Sequence, residues 1–264
     1  MRYPVMAGKY YPFHPEDLKE QLELAVHSVA AETLPVIGAV VPHAGYPFSG
    51  AVAAEAFARI PQRDTYVLIG PNHTGFGLPI ALSRETWKTP LGEVECDLEL
   101  ADALQGSIIE QDESAHLQEH SLEVQIPFLQ HLFSNFKILP ICMGLQDEET
   151  AMEVGEALGK AIRNLGRNCT IIASSDFTHY EPQKEACRKD AQVIECILEM
   201  NVPQIYNLIY GLNVSVCGYG PISATITASK ILGARSGKLL RYITSGDVIG
   251  DYNQVVGYGA IIFT

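Results

Sequence analysis

The chain is short of positive charge and has no long apolar run, and these two shortages remove whole classes of function. Of its 264 residues only 18 are Lys or Arg against 31 Asp or Glu, a formal net charge of −13. No basic cluster interrupts that excess, so a phosphate backbone would be repelled and nucleic acid is not an expected partner. The longest apolar stretches, such as Val255 to Phe263, contain glycines and fall far short of the roughly 20 residues needed to cross a bilayer, so no membrane span is expected. The opening residues Met1-Arg2-Tyr3-Pro4-Val5-Met6 lack an apolar core with a small-residue cleavage site, and no signal peptide is read there. Paired cysteine spacing is missing as well. Cys96, Cys142, Cys169, Cys187, Cys196 and Cys217 are scattered without a CxxC, which points to reduced thiols and a cytoplasmic location rather than a disulfide framework. Fixed-period repeats, low-complexity tracts and linker-like composition shifts are absent, so a single domain over residues 1–264 is expected.

What the chain does have is 47% hydrophobic residues, enough for a large core, arranged as apolar runs that alternate with helical periodicity. Leu18, Leu22, Ala25, Val26 and Val29 recur at helical spacing and predict a helix from Pro15 to about Ala31. Pro35 to Val41 reads as a strand buried on both faces, followed by a helix from Ser49, as its cap, to Ile60. A second strand begins at Thr65 and ends in Gly70-Pro71-Asn72-His73. Residues 78 to 96, around Trp87, read as a β-excursion forming a rim over the site. Asp97 caps a helix to about Gln105, and a segment opened by Glu119-His120 puts Leu122, Ile126, Leu129 and Phe133 on one helical face, with Pro127 bending it or marking its first turn. Strands are expected at Phe136–Met143, Cys169–Ser174, Leu239–Thr244 and Val255–Phe263. Helices are expected at Glu148–Leu165, Lys184–Glu199, Pro203–Tyr210 and from Pro221 to about Leu232. This alternation predicts an α/β layered fold with a central, mostly parallel sheet flanked by helices.

Four distant segments end their apolar runs in ligand-type side chains: His43, His73, Asp176 with His179, and Cys217. In open α/β sheets ligands gather beyond the carboxyl ends of the strands, so convergence on one site is the economical reading. Imidazole and thiolate suit Fe, Cu or Zn rather than Mg or Ca. Cys217, before a helix start, would have its thiolate favoured by the helix dipole, as ligand or as nucleophile. Each residue also has a plainer role: histidines that cap strand ends, an Asp176–His179 bridge, a buried apolar cysteine, and Glu119-His120 as a solvated helix start.

The motifs Pro42-His43-Ala44-Gly45-Tyr46, Gly70-Pro71-Asn72-His73, Glu119-His120-Ser121-Leu122-Glu123, Ser174-Ser175-Asp176-Phe177-Thr178-His179 and Cys217-Gly218-Tyr219-Gly220-Pro221-Ile222 together resemble the Memo family, from Tyr10-Tyr11-Pro12 to the terminal Gly257-Tyr258-Gly259 strand. That family is similar in fold to class III extradiol dioxygenases of the LigB type, which hold Fe(II) with two histidines and a carboxylate. The resemblance implies His43 and His73 as the histidine ligands, Cys217 in place of the usual glutamate, and His179 and His120 as catalytic histidines. It puts Fe(II) first, while a thiolate in place of an oxygen ligand brings in Cu and Zn. It also implies AMMECR-type and radical SAM proteins as partners. A metal-handling protein or a metal-dependent redox enzyme acting on a small molecule is expected; if it is catalytic, His179 or His120 would move a substrate proton and Asp176 would orient His179. Two alternatives stand beside it: a metal-free enzyme with Cys217 as nucleophile and His179 as base, and a non-catalytic peptide- or protein-binding module with a vestigial site.

Overall fold

Strands apolar on both faces have to be covered twice, and the chain supplies a helical layer for each face. The computed structural model describes residues 1–29 and 32–264. Its strands are β1 (Gly38–Val41), β2 (Thr65–Pro71), β3 (Ile80–Leu82), β4 (Trp87–Thr89), β5 (Gly92–Val94), β6 (Glu110–Gln111), β7 (Lys137–Met143), β8 (Cys169–Ser174), β9 (His179–Glu181), β10 (Gly237–Thr244) and β11 (Val255–Phe263). The helices are α1 (Pro15–His27), α2 (Tyr46–Phe57), α3 (Leu98–Asp102), α4 (Ile126–Leu132), α5 (Glu148–Leu165), α6 (Gln183–Leu198), α7 (Val202–Gly211), α8 (Tyr219–Ile231) and α9 (Ser245–Ile249).

The main sheet runs β10-β11-β1-β8-β2-β7-β3-β6. Its centre, β1-β8-β2-β7, is parallel throughout, while β11 joins β1 and β3 joins β7 in the antiparallel sense. Alternate residues of each central strand face different cores. Val40, Val67, Ile69, Ile171 and Ile141 pack under α5 to α8, and Ala39, Val41, Tyr66, Leu68 and Ile172 pack under α1, α2 and α4. That two-sided burial is why these strands read as continuous apolar runs. Among the described residues no helix is long and apolar enough to cross a membrane. All six cysteines are free.

Several expected boundaries move. α1 ends at His27, and Ala31, the expected limit, lies outside the described residues. α2 starts at Tyr46 with Pro47 in its first turn and Gly45 as N-cap, so Ser49 is not the cap; its hydroxyl donates to the Ala44 carbonyl at 2.9 Å. The proline, with its missing N–H, was the stronger start signal. Residues 78–96 form no rim over the site: β3 is built into the main sheet, and the β4–β5 hairpin tucks Trp87 into the core at 1% exposure. Three short elements, β6, β9 and α9, have no expectation behind them. α9 has a capping box between Thr244 and Asp247, and β9 pairs antiparallel with Val255 and Val256 of β11.

α5 crosses α8 closely, because a Cβ on Gly155 would sit 2.5 Å from the Ala224 carbonyl oxygen and 2.6 Å from Thr227 Cβ. Both obstacles belong to a packed helix that cannot step aside. Gly155→Val is expected to lower the unfolding free energy by about 3 kcal/mol, read as a lower urea midpoint at unchanged slope.

Candidate metal centre

β1, β8 and β2 are adjacent and parallel, so the residues that follow them emerge at one edge of the sheet. The connections into this region run through α2 on one face and α5 on the other, which parts the loops and leaves a crevice. His43 follows β1, His73 follows β2, and Asp176 follows β8. Cys217 comes in from the loop between α7 and α8. Its Sγ lies 3.2 Å from His43 Nε2, and the ligand atoms of His43, His73 and Cys217 all lie within 4.8 Å of one another. Bonds of about 2.0–2.3 Å in a tetrahedral site separate ligand atoms by roughly 3.5 Å, so small side-chain rotations would bring the three onto one ion. His120 completes the cluster, with ring centroids 5.2 Å from His43 and 4.6 Å from His73.

The hydrogen bonds behind the imidazoles set their tautomers. Ser174 Oγ donates to the Ser121 carbonyl at 2.6 Å and accepts from Gln125 Nε2 at 2.9 Å, so at 2.9 Å from His43 Nδ1 it can only accept. His43 therefore carries its proton on Nδ1 and directs the Nε2 lone pair at the thiol. His73 Nδ1 lies 2.9 Å from the Glu119 carboxylate, which also accepts backbone N–H groups from His73, His120 and Ser121. An ionised carboxylate only accepts, so His73 too is protonated on Nδ1 with Nε2 free. His120 Nδ1 is 3.2 Å from the same carboxylate. His179 Nδ1 is 2.9 Å from the Ser215 carbonyl, which leaves its Nε2 as acceptor. Carboxylates or carbonyls behind the outer nitrogen are the usual way a ligand imidazole is oriented.

Charge follows from burial. Loss of water, with His120 and His73 beside it, pushes His43 well below its ordinary value, so it is a neutral donor at pH 7. Burial raises the Glu119 carboxyl, but the hydrogen bonds from His120 and His73 outweigh it and hold the group far below the usual range. For Cys217 burial pushes the thiol up, and the charge of Asp176 adds to the effect. The expected thiolate stabilisation at the start of α8 is outweighed, so without a cation the sulfur stays protonated.

Asp176 does not orient His179, whose ring is held by Ser215. Its Oδ1 accepts the His43 backbone N–H at 2.8 Å, and its own backbone N–H reaches Cys217 Sγ at 3.2 Å. It braces the two ligand loops instead. Burial pushes its carboxyl up, against the lowering effect of the His43 N–H. Above these groups lies a cavity of about 470 Å³ bounded by His43, His73, His120, Asp176 and His179. Its walls are Lys9, Tyr10, Phe48, Tyr180, Val256 and Tyr258, none of them from the stretch expected to form the rim.

Sequence reasoning brought His43, His73, His120, Asp176, His179 and Cys217 to one place. It missed Glu119, which is 1% exposed and not a solvated helix start, along with Ser174, Gln125 and Ser215. For Glu119 a signal existed, a carboxylate directly before a candidate histidine.

Comparison with known proteins gives a consistent assignment. The family model described as Memo-like protein matches residues 2–262. A "MEMO1 family protein" of Methanosarcina acetivorans is 54% identical over 263 residues, covering 99% of this chain and 98% of the relative. One of Archaeoglobus fulgidus is 51% identical over 263 residues, covering 100% and 99%. Among solved structures, an uncharacterized protein of Escherichia coli K12 superposes with a TM-score of 0.57 at 12% identity, over 85% of this chain and 98% of that one, which speaks for the fold alone.

Proposed function

This chain belongs to the Memo-like protein family, and from that premise we propose that it is a transition-metal protein using His43, His73 and Cys217 as ligands in a redox reaction on a small molecule. The observation that carries this reading is the 3.2 Å approach of the half-buried Cys217 thiol to an imidazole nitrogen whose proton is held on the far side of the ring. The donor set fits a transition ion: two imidazoles with lone pairs freed and one sulfur that becomes a thiolate once a cation is near. Fe(II) comes first from the likeness to LigB-type dioxygenases, with Cu and Zn as the alternatives that a thiolate favours. Such an ion would supply Lewis acidity and electron-transfer capacity at the cavity floor. His179 and His120, each with Nδ1 engaged behind it, are placed to take or return a substrate proton at Nε2. Tyr10, Phe48, Tyr180 and Tyr258 would hold an apolar, planar molecule and keep water out. We infer a cytoplasmic location, supported by six cysteines scattered without paired spacing, and AMMECR-type and radical SAM proteins are the partners to seek by co-purification.

The test is anaerobic titration with Fe(II), Cu(I) and Zn(II). One ion per chain is expected for the parent and a loss of at least about 100-fold in affinity for His43→Ala; full occupancy in that variant would overturn the reading. Metal binding without turnover of any catechol would leave the binding-module alternative. A metal-free nucleophilic role for Cys217 is opposed by its raised pKa, and labelling by iodoacetamide at pH 7 is expected to be slower than for a free thiol.

A further inference from the structure

Residues 2–11 contain no helix and no strand, yet they are tied into the metal centre at both ends. At one end stands Glu123, fully buried in the turn that follows His120. Its carboxylate accepts from the Arg2 guanidinium, from the Val5 and Met6 backbone N–H groups at 3.0 and 2.9 Å, and from the Tyr11 hydroxyl at 2.5 Å. Arg2, only 1% exposed, gives its other N–H groups to the carbonyls of Tyr3, His116 and Glu119, the last at 2.7 Å, and lies 4.5 Å over the Trp87 ring. Glu119 is the residue whose side chain orients His73. At the other end the Tyr10 carbonyl accepts the Tyr46 N–H at 2.7 Å, three residues beyond His43, while the Tyr10 ring packs 5.0 Å from His120 as a wall of the cavity. One segment thus joins the loop of His43 to the turn of Glu119 and His120.

Stability gives no reason for this pair, since buried Arg–Glu pairs are often replaced by apolar residues without loss. Geometry does, because ligands must be held to within about half an ångström, and two loops from different strands need a common brace. We propose that Arg2 and Glu123 are positioning residues, a buried clasp that acts through residues 2–11 to set the spacing of the His43 loop against the Glu119–His120 turn. The inference rests on the metal-site reading above, but its test has a part that does not.

The informative variant is Arg2→Met with Glu123→Gln, which removes both charges and keeps an acceptor for Tyr11 and Met6. Its thermal midpoint should fall while the protein stays folded, because the His116 and Glu119 carbonyls and the Val5 N–H lose their partners. Co(II) affinity should fall by about 10- to 100-fold, and the Tyr46 and Ser121 amides, bonded to Tyr10 and Glu119, should exchange with solvent about tenfold faster while the core strands do not. A folded double variant with Co(II) affinity within about threefold of the parent and unchanged exchange at both amides would overturn the proposal. If the double variant does not fold, Arg2→Lys decides, since it keeps the charge and loses the fork; about tenfold weaker Co(II) binding supports the clasp and unchanged binding overturns it. A parent that binds no Co(II) would sink the metal reading alone, and the clasp would then stand or fall on the two amides.

Discussion

Cys217→Asp is expected to lower the ratio of Cu(I) to Fe(II) affinity by at least about 100-fold, because a soft thiolate gives way to a hard oxygen donor of similar size. The substitution turns two imidazoles and a sulfur into two imidazoles and a carboxylate, a set that suits Fe(II). Burial and Asp176 keep the Cys217 thiol protonated in the metal-free protein, so the parent should release about one proton per ion bound at pH 7. Calorimetry in two buffers of different ionisation enthalpy measures that proton, and competition with a Cu(I) chelator measures the affinity. Cu(I) affinity within about tenfold of the parent in Cys217→Asp would mean that the sulfur is no ligand.

Glu119→Ala should be the most destabilising single change at the site, at about 3–5 kcal/mol. The carboxylate is 1% exposed and accepts three backbone N–H groups and a ring N–H, so its loss would leave the Ser121 N–H buried, and the His73 and His120 groups partly buried, without a partner. The pH dependence has a definite sign. The folded-state pKa of Glu119 is depressed, so its contribution is fully present above the unfolded value of about 4.3 and lost as pH falls below it, by about 1.4 kcal/mol per unit. The stability gap between parent and Glu119→Ala, measured by urea denaturation of the metal-free proteins, should therefore be constant from pH 7 to about 5 and narrow below 4.3. A gap that keeps its size at pH 3 would contradict the account.

Local pattern was enough to delimit much of this protein. Glu148–Leu165, Cys169–Ser174 and Val255–Phe263 have the bounds read from the sequence, because helix periodicity, a capping Asp147 and unbroken apolar runs are properties of neighbouring residues. His43, His73 and Cys217 were legible for the same reason, each standing where an apolar run gives way to glycine or a polar turn. What orients each imidazole was less legible. The partner of His179 proved to be Ser215, 36 positions away, and not Asp176, three positions away.

The sequence by itself thus determined the layered α/β class, the bounds of a few elements such as α5, β8 and β11, and the ligand-type residues at the strand ends. Only the tertiary structure decided which nitrogen of each imidazole faces the cavity, that Cys217 stays a thiol without a cation, and that the walls come from Tyr10, Phe48, Tyr180 and Tyr258. The physical reason is range. Strand and helix signals repeat every two to four residues, whereas His43 takes its tautomer from Ser174 across 131 positions and His73 from Glu119 across 46. A hydrogen-bond partner or a loss of water at such distances exists only once the sheet has brought the loops together.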